Sequence, residues 1–563
     1  MTALSNRSGR WGWAALAAAL VLLDASLAFE NLWPTPAIRW RGALSVECAV
    51  CVLVMALANR GFGSMPRRAL AWLGAAWVVM VVGRYADVTA PALYGRPINL
   101  YWDMRHVSAV AAMLVRVASW WLVLLVVAVA VLIPVVLYVL ARWALGRVSD
   151  AMNRPGERLA LGLAAALVVA LFTAARLGAA AWLAPDFSTP VTQSYARQAR
   201  LLVSELTAAG RTTLGPGPSM DASLANLHGA DVFLIFIESY GAVSWERPSF
   251  AEPLAPGRAL FEADIHATGR DVVSAYVESP TFGGNSWLAH ISLLSGFEIR
   301  DEDANVLLMA QKRSTLVTAF ASRGYRTIAM MPGLQQSWPE GVFYGFDAIY
   351  DGARLDYRGP PFGWWTIPDQ FAAARLDAAE VDVVHRPSRA PVFVFFPTTG
   401  THTPFTPTPP YQPDWPRMLT DRPYEQADVD RAWMQEPDWL HLGPSYVRAL
   451  SATYTWLGGF LRRRADRDFV MILIGDHQPP AVVSGAGAPW DVPVHVIASR
   501  PAVLESLRMR GFRSGLAPER PTLARMHALA PILLGAFSGG PGPAPSRLLK
   551  NGSPERLRLG AGG

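Results

Sequence analysis

Apolar residues fall along this chain in two rhythms, and the change between them comes near residue 185. Before it lie long, nearly unbroken apolar runs at 11–29, 43–58, 69–82, 118–140 and 159–182. A helix needs about 20 largely apolar residues to cross a bilayer. The runs therefore predict a transmembrane domain of about five helices over 1–185, the second and third being short. After about residue 229 the apolar runs shrink, at 232–237, 272–277, 327–331, 392–396, 469–474 and 492–498. Most are apolar at every position, as strands buried on both faces are. Pro493 in the last run predicts an edge strand or a later start. Helical stretches lie between them at 316–323, 370–381 and 446–464. Strands alternating with helices predict an α/β domain with a mainly parallel sheet over 229–538. The polar, proline-punctuated residues 186–228 read as a connector. Within it, 194–210 has amphipathic spacing, with Leu201, Leu202 and Leu206 on one side, and would lie on the bilayer or pack on the globule. The stretch 403–444 is rich in Pro, Trp and acids without a period, and reads as a long surface loop over the site. The Gly- and Pro-rich 539–563 reads as a flexible tail.

Composition sharpens the first half of this picture. Apolar residues make up 52% of the 563 positions, and the excess sits at the front. Arginines are densest at Arg7 and Arg10, at Arg60, Arg67 and Arg68, and at Arg142, Arg147, Arg154 and Arg158. Those loops should be cytoplasmic. The chain is therefore expected to cross its membrane several times and to carry the α/β domain on the outer side. A cleaved signal peptide in place of the first span, ending near the small residues Ala25, Ser26 and Ala28, would leave that side unchanged. Asp24, Glu47 and Arg176 lie in or near the spans, where a charge is either functional or a snorkelling helix-end residue. The net charge of +6 is carried almost wholly by arginine, and no basic stripe is interleaved with aromatics, which argues against nucleic acid. The only cysteines, Cys48 and Cys51, fall in the second span, so the exported domain folds without disulfides.

Candidate chemistry gathers where the short runs end. In open α/β sheets ligands bind beyond the carboxyl ends of the strands. The run from Phe469 ends on Gly475, Asp476 and His477; the run from Val232 ends on Glu238. Carboxylates with one imidazole suit Zn²⁺ or Mn²⁺. After the run 272–277 comes Thr281-Phe-Gly-Gly-Asn285-Ser286, followed by helical spacing through Trp287, Ile291 and Leu294. Asn285 and Ser286 would then stand at a helix N-terminus, which favours an anion such as phosphate. Ser286 reads either as a simple N-cap or as a nucleophile activated by the metal. His402, in Thr401-His402-Thr-Pro-Phe405, follows another run and could contact substrate or leaving group. His495 reads as a core histidine, and His290 is open between the two roles.

Glu238, the Gly-Gly-Asn285-Ser286 loop running into Leu-Leu-Ser-Gly296, His402-Thr-Pro-Phe405 and Gly475-Asp476-His477 stand in order behind the spans. This pattern resembles the lipoteichoic acid synthase-like branch of the alkaline phosphatase (sulfatase) superfamily, with the phosphoethanolamine transferases as a neighbouring branch. The resemblance implies one divalent metal ion, Zn²⁺ or Mn²⁺, held by Glu238, Ser286, Asp476 and His477. It makes Ser286 the catalytic nucleophile, in place of the family's threonine, and puts His402, Trp338, Asn285 and Glu340 toward the substrate. Glu340 stands where the family pattern has arginine, which suits a cationic head group better than phosphoglycerol. The absence of exported cysteines favours the lipoteichoic acid synthase-like branch. A sulfatase-type match, Ser64-Met-Pro-Arg-Arg68, falls in a loop between spans and is a chance occurrence. The implied function is metal-dependent transfer of a phospholipid head group, of phosphoglycerol or phosphoethanolamine type, to a glycan or lipid acceptor through a covalent serine. The alternatives are phosphodiester or sulfate ester hydrolysis, and a non-catalytic membrane protein that binds a glycan or partner.

Overall fold

The computed structural model describes residues 3–539 apart from 33–34, 95–97, 99, 105–106, 109–110, 113–114, 116–119, 208–213, 336–337, 339–340, 364, 383–388 and 486. The chain divides into two units, Met1–Gly210 and Arg211–Gly563.

The long helices of the first unit are Ala3–Ala28, Val46–Phe62, Arg67–Tyr94, Trp120–Met152 and Pro155–Arg176. Three of the described helices are long and apolar enough to cross a membrane: Arg67–Leu93, Trp120–Met152 and Pro155–Arg176. The expected count of about five is not confirmed among the described residues. The second helix has only 17 residues. Inward faces follow helical spacing, as Leu16, Ala19, Leu23 and Leu27 do on the first helix and Ala141, Ala144, Leu145 and Val148 on the fourth. The charges singled out in the sequence serve helix ends. Asp24 Oδ1 accepts from the Ser45 amide at 2.8 Å. Glu47 Oε2 accepts from Ser45 Oγ at 3.1 Å, and its Oε1 from the Thr192 amide at 3.2 Å. Arg176 is exposed in the last turn of its helix, over the Phe172 ring. The amphipathic helix begins earlier than read, at Val191–Thr207. Tyr195 ties it to the Val79 carbonyl and Arg197 to Asp87, so it packs on the Arg67–Tyr94 helix.

The second unit is built on one sheet. Its strands are β1 (Asp231–Ile237), β2 (Asp271–Glu278), β3 (Arg326–Met330), β4 (Ala348–Tyr350), β5 (Val392–Pro397), β6 (Phe469–Gly475), β7 (Asp491–Ala498), β8 (Arg513–Ser514) and β9 (Ala524–Arg525). Their order is β8-β2-β7-β6-β1-β5-β3-β4, with β9 paired to β2. Alternate residues feed two cores. Phe233, Ile235, Met471 and Leu473 face one side, and Val232, Leu234, Val470 and Ile472 face the other. Burial on both faces is why these runs carry no polar alternation. One core lies under helices Pro248–Ala267 and Gly443–Arg463, the other under Ser286–Ser295, Pro501–Arg508 and Leu529–Ser538.

The sheet is mixed, where a mainly parallel one was expected. The pairs β6-β1, β1-β5, β5-β3 and β3-β4 are parallel, but β7 runs antiparallel to both β6 and β2. A fully buried strand reads as the same apolar run in either direction. β7 is not an edge strand either: Pro493 lies opposite Tyr276 of β2, and pairing to β6 begins only at Val494, so no bond to β6 is lost at the proline. The 403–444 stretch is no plain surface loop. It contains helices Trp415–Met418 and Gln426–Trp433 and buries Phe405, Trp415, Met418 and Tyr424 in the first core. Of the expected tail, residues 540–563 lie outside the described residues.

Candidate metal centre and nucleophile

The central parallel strands β6 and β1 pair in register from Asp231 with Phe469 to Ile237 with Gly475, so Glu238 and Asp476 leave the sheet side by side. Gly475 is what permits the approach. A Cβ there would collide with the carbonyl oxygen of Tyr240. The turn after β1 is equally tight: Ser239 holds a positive φ of 56°, and a Cβ on Gly241 would meet the side chain of Gln478. Opposite this pair, Gly283, Gly284 and Asn285 take positive φ values of 67°, 149° and 58° in succession. Glycine supplies such angles without steric cost, and the loop so formed delivers Ser286 as the first residue of helix Ser286–Ser295. Strained angles gathered at one place are typical of functional sites.

The side chains converge. Glu238, Asp476 and His477 are buried, and one ligand atom of each lies within 4.8 Å of the others. Ser286 Oγ donates to Glu238 Oε2 at 2.7 Å and lies 3.1 Å from His477 Nε2. His477 Nδ1 donates to the Gln478 carbonyl at 2.7 Å, which turns Nε2 toward the cluster. Asp476 Oδ1 accepts from the amides of Ser239 and His477 at 2.8 and 2.6 Å. Its Oδ2 is buried without a donor, 3.8 Å from His477 Nε2.

The electrostatics follow from this crowding. Burial raises the Asp476 carboxyl well above the ordinary carboxylate range, and the Glu238 charge adds to it. Burial also acts to raise Glu238, but His477 and His402 together hold it below its ordinary value. Burial acts to lower His477, yet the two carboxylates bring it up to about 9. Two buried carboxylates with one imidazole for compensation, and one oxygen left without a donor, are a poor arrangement for a protein alone. They fit a divalent cation. The oxygen and imidazole donors suit Zn²⁺ or Mn²⁺, with Ser286 Oγ near enough to join them.

The remaining sequence candidates are placed as follows. His402 follows β5 and donates through Nδ1 to the Thr403 carbonyl at 2.7 Å, with its ring edge-on to Trp365 at 5.3 Å between centroids. Asn285 immediately precedes the helix, and its carbonyl accepts from the Leu288 amide. Trp338 stacks on Tyr344 at 5.7 Å between centroids and packs beside Phe346. Glu340 lies outside the described residues. His495 is a core histidine between Ser274 Oγ at 2.8 Å and the Tyr240 hydroxyl at 3.0 Å. His290 is wedged against Phe236 and Phe395, where burial lowers it to about 3 and keeps it neutral.

Sequence reasoning passed over several supports. Thr398 Oγ1 accepts from the Glu238 amide, and Gln478 bridges the Val243 amide and the Asp491 carbonyl. Asp369 accepts from the amides of Thr399 and Gly400, both at 2.8 Å, and so clamps the loop that carries His402. Burial raises its carboxyl to about 6 against these bonds. Thr398 and Gln478 were findable as polar residues directly after buried strands. Asp369 had no such signal, since an acid opening a helix reads as an ordinary first-turn residue.

Comparison with known proteins gives the following. The Sulfatase family model matches residues 293–492, a segment that takes in His402, Asp476 and His477 and begins after Glu238 and Ser286. No curated protein matches the chain in sequence. Among solved structures the chain is similar to the integral membrane protein lipooligosaccharide phosphoethanolamine transferase A (EptA) from Neisseria meningitidis, at 12% identity and a TM-score of 0.47, over 94% of this chain and 96% of that one. It is similar to the phosphoglycerol transferase GacH from Streptococcus pyogenes at 13% identity and a TM-score of 0.35, over 63% and 82%. It is also similar to the lipoteichoic acid synthase LtaP from Listeria monocytogenes at 12% identity and a TM-score of 0.34, over 51% and 69%. The family match agrees with the sulfatase part of the resemblance drawn from the motifs, over residues 293–492.

Proposed function

We propose that this chain is a membrane-anchored phosphotransferase that carries a phospholipid head group on Ser286. The observation that carries the reading is the place of Ser286 Oγ, at a helix N-terminus, 2.7 Å from Glu238 and 3.1 Å from His477. The Glu238 oxygen is positioned to receive the serine proton. Ser286 Oγ then bonds to the phosphorus of the lipid phosphodiester as the bond from phosphorus to the diacylglycerol oxygen breaks. The backbone N–H groups that open helix Ser286–Ser295 favour the phosphate charge. His402 would contact the leaving oxygen and, as an imidazolium, give it the Nε2 proton, while its Nδ1 stays bonded to the Thr403 carbonyl. An acceptor hydroxyl, on a glycan or a lipid, then bonds to the phosphorus as the bond from phosphorus to Ser286 Oγ breaks; the acceptor proton passes to His402, and the proton held by Glu238 returns to Ser286 Oγ. A divalent ion, Zn²⁺ or Mn²⁺, held by Glu238, Ser286, Asp476 and His477, would stabilise the developing negative charge and lower the serine pKa. Asn285, Trp338 and Glu340 are assigned to the head group, which is of phosphoglycerol or phosphoethanolamine type. The reaction would run on the outer side of a bacterial cytoplasmic membrane, a reading supported by the arginine-dense loops between the apolar runs.

The test is head-group release by the full chain in lipid vesicles made with labelled phospholipid. Diacylglycerol and labelled acceptor should appear together, and both should stop with Ser286→Ala. Full activity of Ser286→Ala would end this reading. Release of the free head group whether or not acceptor is present would make the protein a hydrolase.

A further inference from the structure

The second unit exposes few large apolar side chains among its described residues: Leu260, Val342, Trp433, Met434, Trp439, Leu440 and Met509. Four of these fall between residues 433 and 440, exposed by 49%, 73%, 51% and 74%. Leaving them in water is costly, at roughly 25 cal/mol for each Å² of apolar surface. The segment is nevertheless shaped by its own bonds. It begins at the end of helix Gln426–Trp433, and Asp438 accepts from the amides of Leu440 and His441 at 3.0 and 3.2 Å. Leu442, Val429 and Ala432 anchor its two ends in the core. It also borders the site, because Thr406 Oγ1, four residues past His402, donates to the Gln435 carbonyl at 2.6 Å.

We infer that the face formed by Trp433, Met434, Trp439 and Leu440 enters the interface of a net-neutral phospholipid bilayer and holds the unit on the lipid surface with the His402 loop at its edge. Three observations favour lipid over a protein partner. The same chain carries helices long and apolar enough to cross a membrane, so a bilayer is always within its reach. The two tryptophans beside Met and Leu match the composition of membrane-water interfaces. Residues 432–441 contain no Lys or Arg, and Glu436 and Asp438 are their only acids, which disfavours an anionic surface. The Asp438 carboxylate is already engaged by its own loop and by His441 Nδ1 at 3.2 Å. The inference needs no catalytic step, so its failure would leave the proposed transfer untouched.

The test uses the full chain with Cys48→Ala and Cys51→Ala, reconstituted in phosphatidylcholine vesicles. A fluorophore is attached at Leu440→Cys, at Met434→Cys, and at Met509→Cys as control. Met509 follows helix Pro501–Arg508, which covers the opposite face of the sheet. Lipids brominated in their acyl chains should remove most of the emission at 440 and 434 and leave 509 unchanged, while aqueous iodide should quench only 509. Iodide quenching at 440 and 434 with no effect of brominated lipid would mean that the face is solvated, and would overturn the inference. Protection from both quenchers would mean that protein covers the face, and would overturn it equally.

Discussion

Glu47 in the helical unit and Asp476 in the α/β unit are both acids withdrawn from water, 8% and 1% exposed. Glu47 has donors for both oxygens, in Ser45 and Thr192. It closes the start of one helix and the start of another, and nothing about it asks for a further ligand. Asp476 has donors for Oδ1 alone, and its Oδ2 stands without one beside Glu238 and His477. The contrast separates two uses of a buried charge. A carboxylate whose oxygens are all bonded stabilises the fold that bonds it. One left with an unpartnered oxygen beside a second carboxylate costs stability, and is tolerated where a cation restores the balance.

The largest effect expected from this contrast is on turnover. Ser286→Ala should lower head-group release by about 10³-fold or more, while metal content, read by inductively coupled plasma mass spectrometry, stays near the wild-type level. Metal lost along with activity would show Ser286 to be needed for binding rather than for attack.

Gly475→Ala comes next. It places a methyl group against the Tyr240 carbonyl where β6 meets the turn after β1. Relief requires moving backbone between two buried strands, so a loss of about 3 kcal/mol is expected. A denaturant midpoint for the α/β unit, read by pulse proteolysis of the full chain in detergent, measures it. An unchanged midpoint would mean that the strand ends are less tightly apposed than described.

Asp369 gives a pH signature of up to about 3 kcal/mol, since its carboxyl is raised from 3.8 to about 6. A folded-state pKa above the unfolded value means that the native state holds the proton more tightly. The contribution is therefore full below pH 3.8 and is lost as pH rises through about 6. Asp369→Asn should flatten that part of the stability profile between those two values. A profile of unchanged slope would show that the buried carboxyl titrates normally.

The smallest effects are the most direct contrast, because they differ in sign. Glu47→Ala leaves the donors of Ser45 and Thr192 unpaired and should destabilise the helical unit by about 1–3 kcal/mol. Asp476→Asn keeps the Oδ1 acceptor and turns its unpartnered oxygen into a donor facing Glu238. In chelator-treated protein it should stabilise the α/β unit by about 1–2 kcal/mol. Protease midpoints of the two units read both changes, and the same sign for both would erase the distinction.

Much of this layout was legible in the sequence because strand ends are marked by an abrupt change from apolar to polar residues. Glu238, Asp476, His477 and His402 all follow such boundaries, and Ser286 follows a glycine pair whose only economical use is a tight turn. Strand direction was not legible. The run that becomes β7 is apolar in either sense, so the antiparallel flank could not be read from it. The packing of 403–444 was hidden because its buried aromatics, Phe405, Trp415 and Tyr424, follow no helix or strand period. Span number was blurred by the two short apolar runs, of which the second run became a helix of only 17 residues and the third a helix of 28. The clamp at Asp369 depends on a loop 30 residues away in sequence, and local patterning carries no trace of such a partner.

The central claim is that Ser286 becomes covalently bonded to a head-group phosphate. Peptide mass spectrometry of the full chain, quenched during turnover on phospholipid vesicles without acceptor, tests it most directly. The account predicts that the peptide containing Ser286 gains the mass of one head-group phosphate, phosphoglycerol or phosphoethanolamine, and that chelator abolishes the gain. Diacylglycerol release with Ser286 unmodified, or with the added mass on another residue, would contradict it.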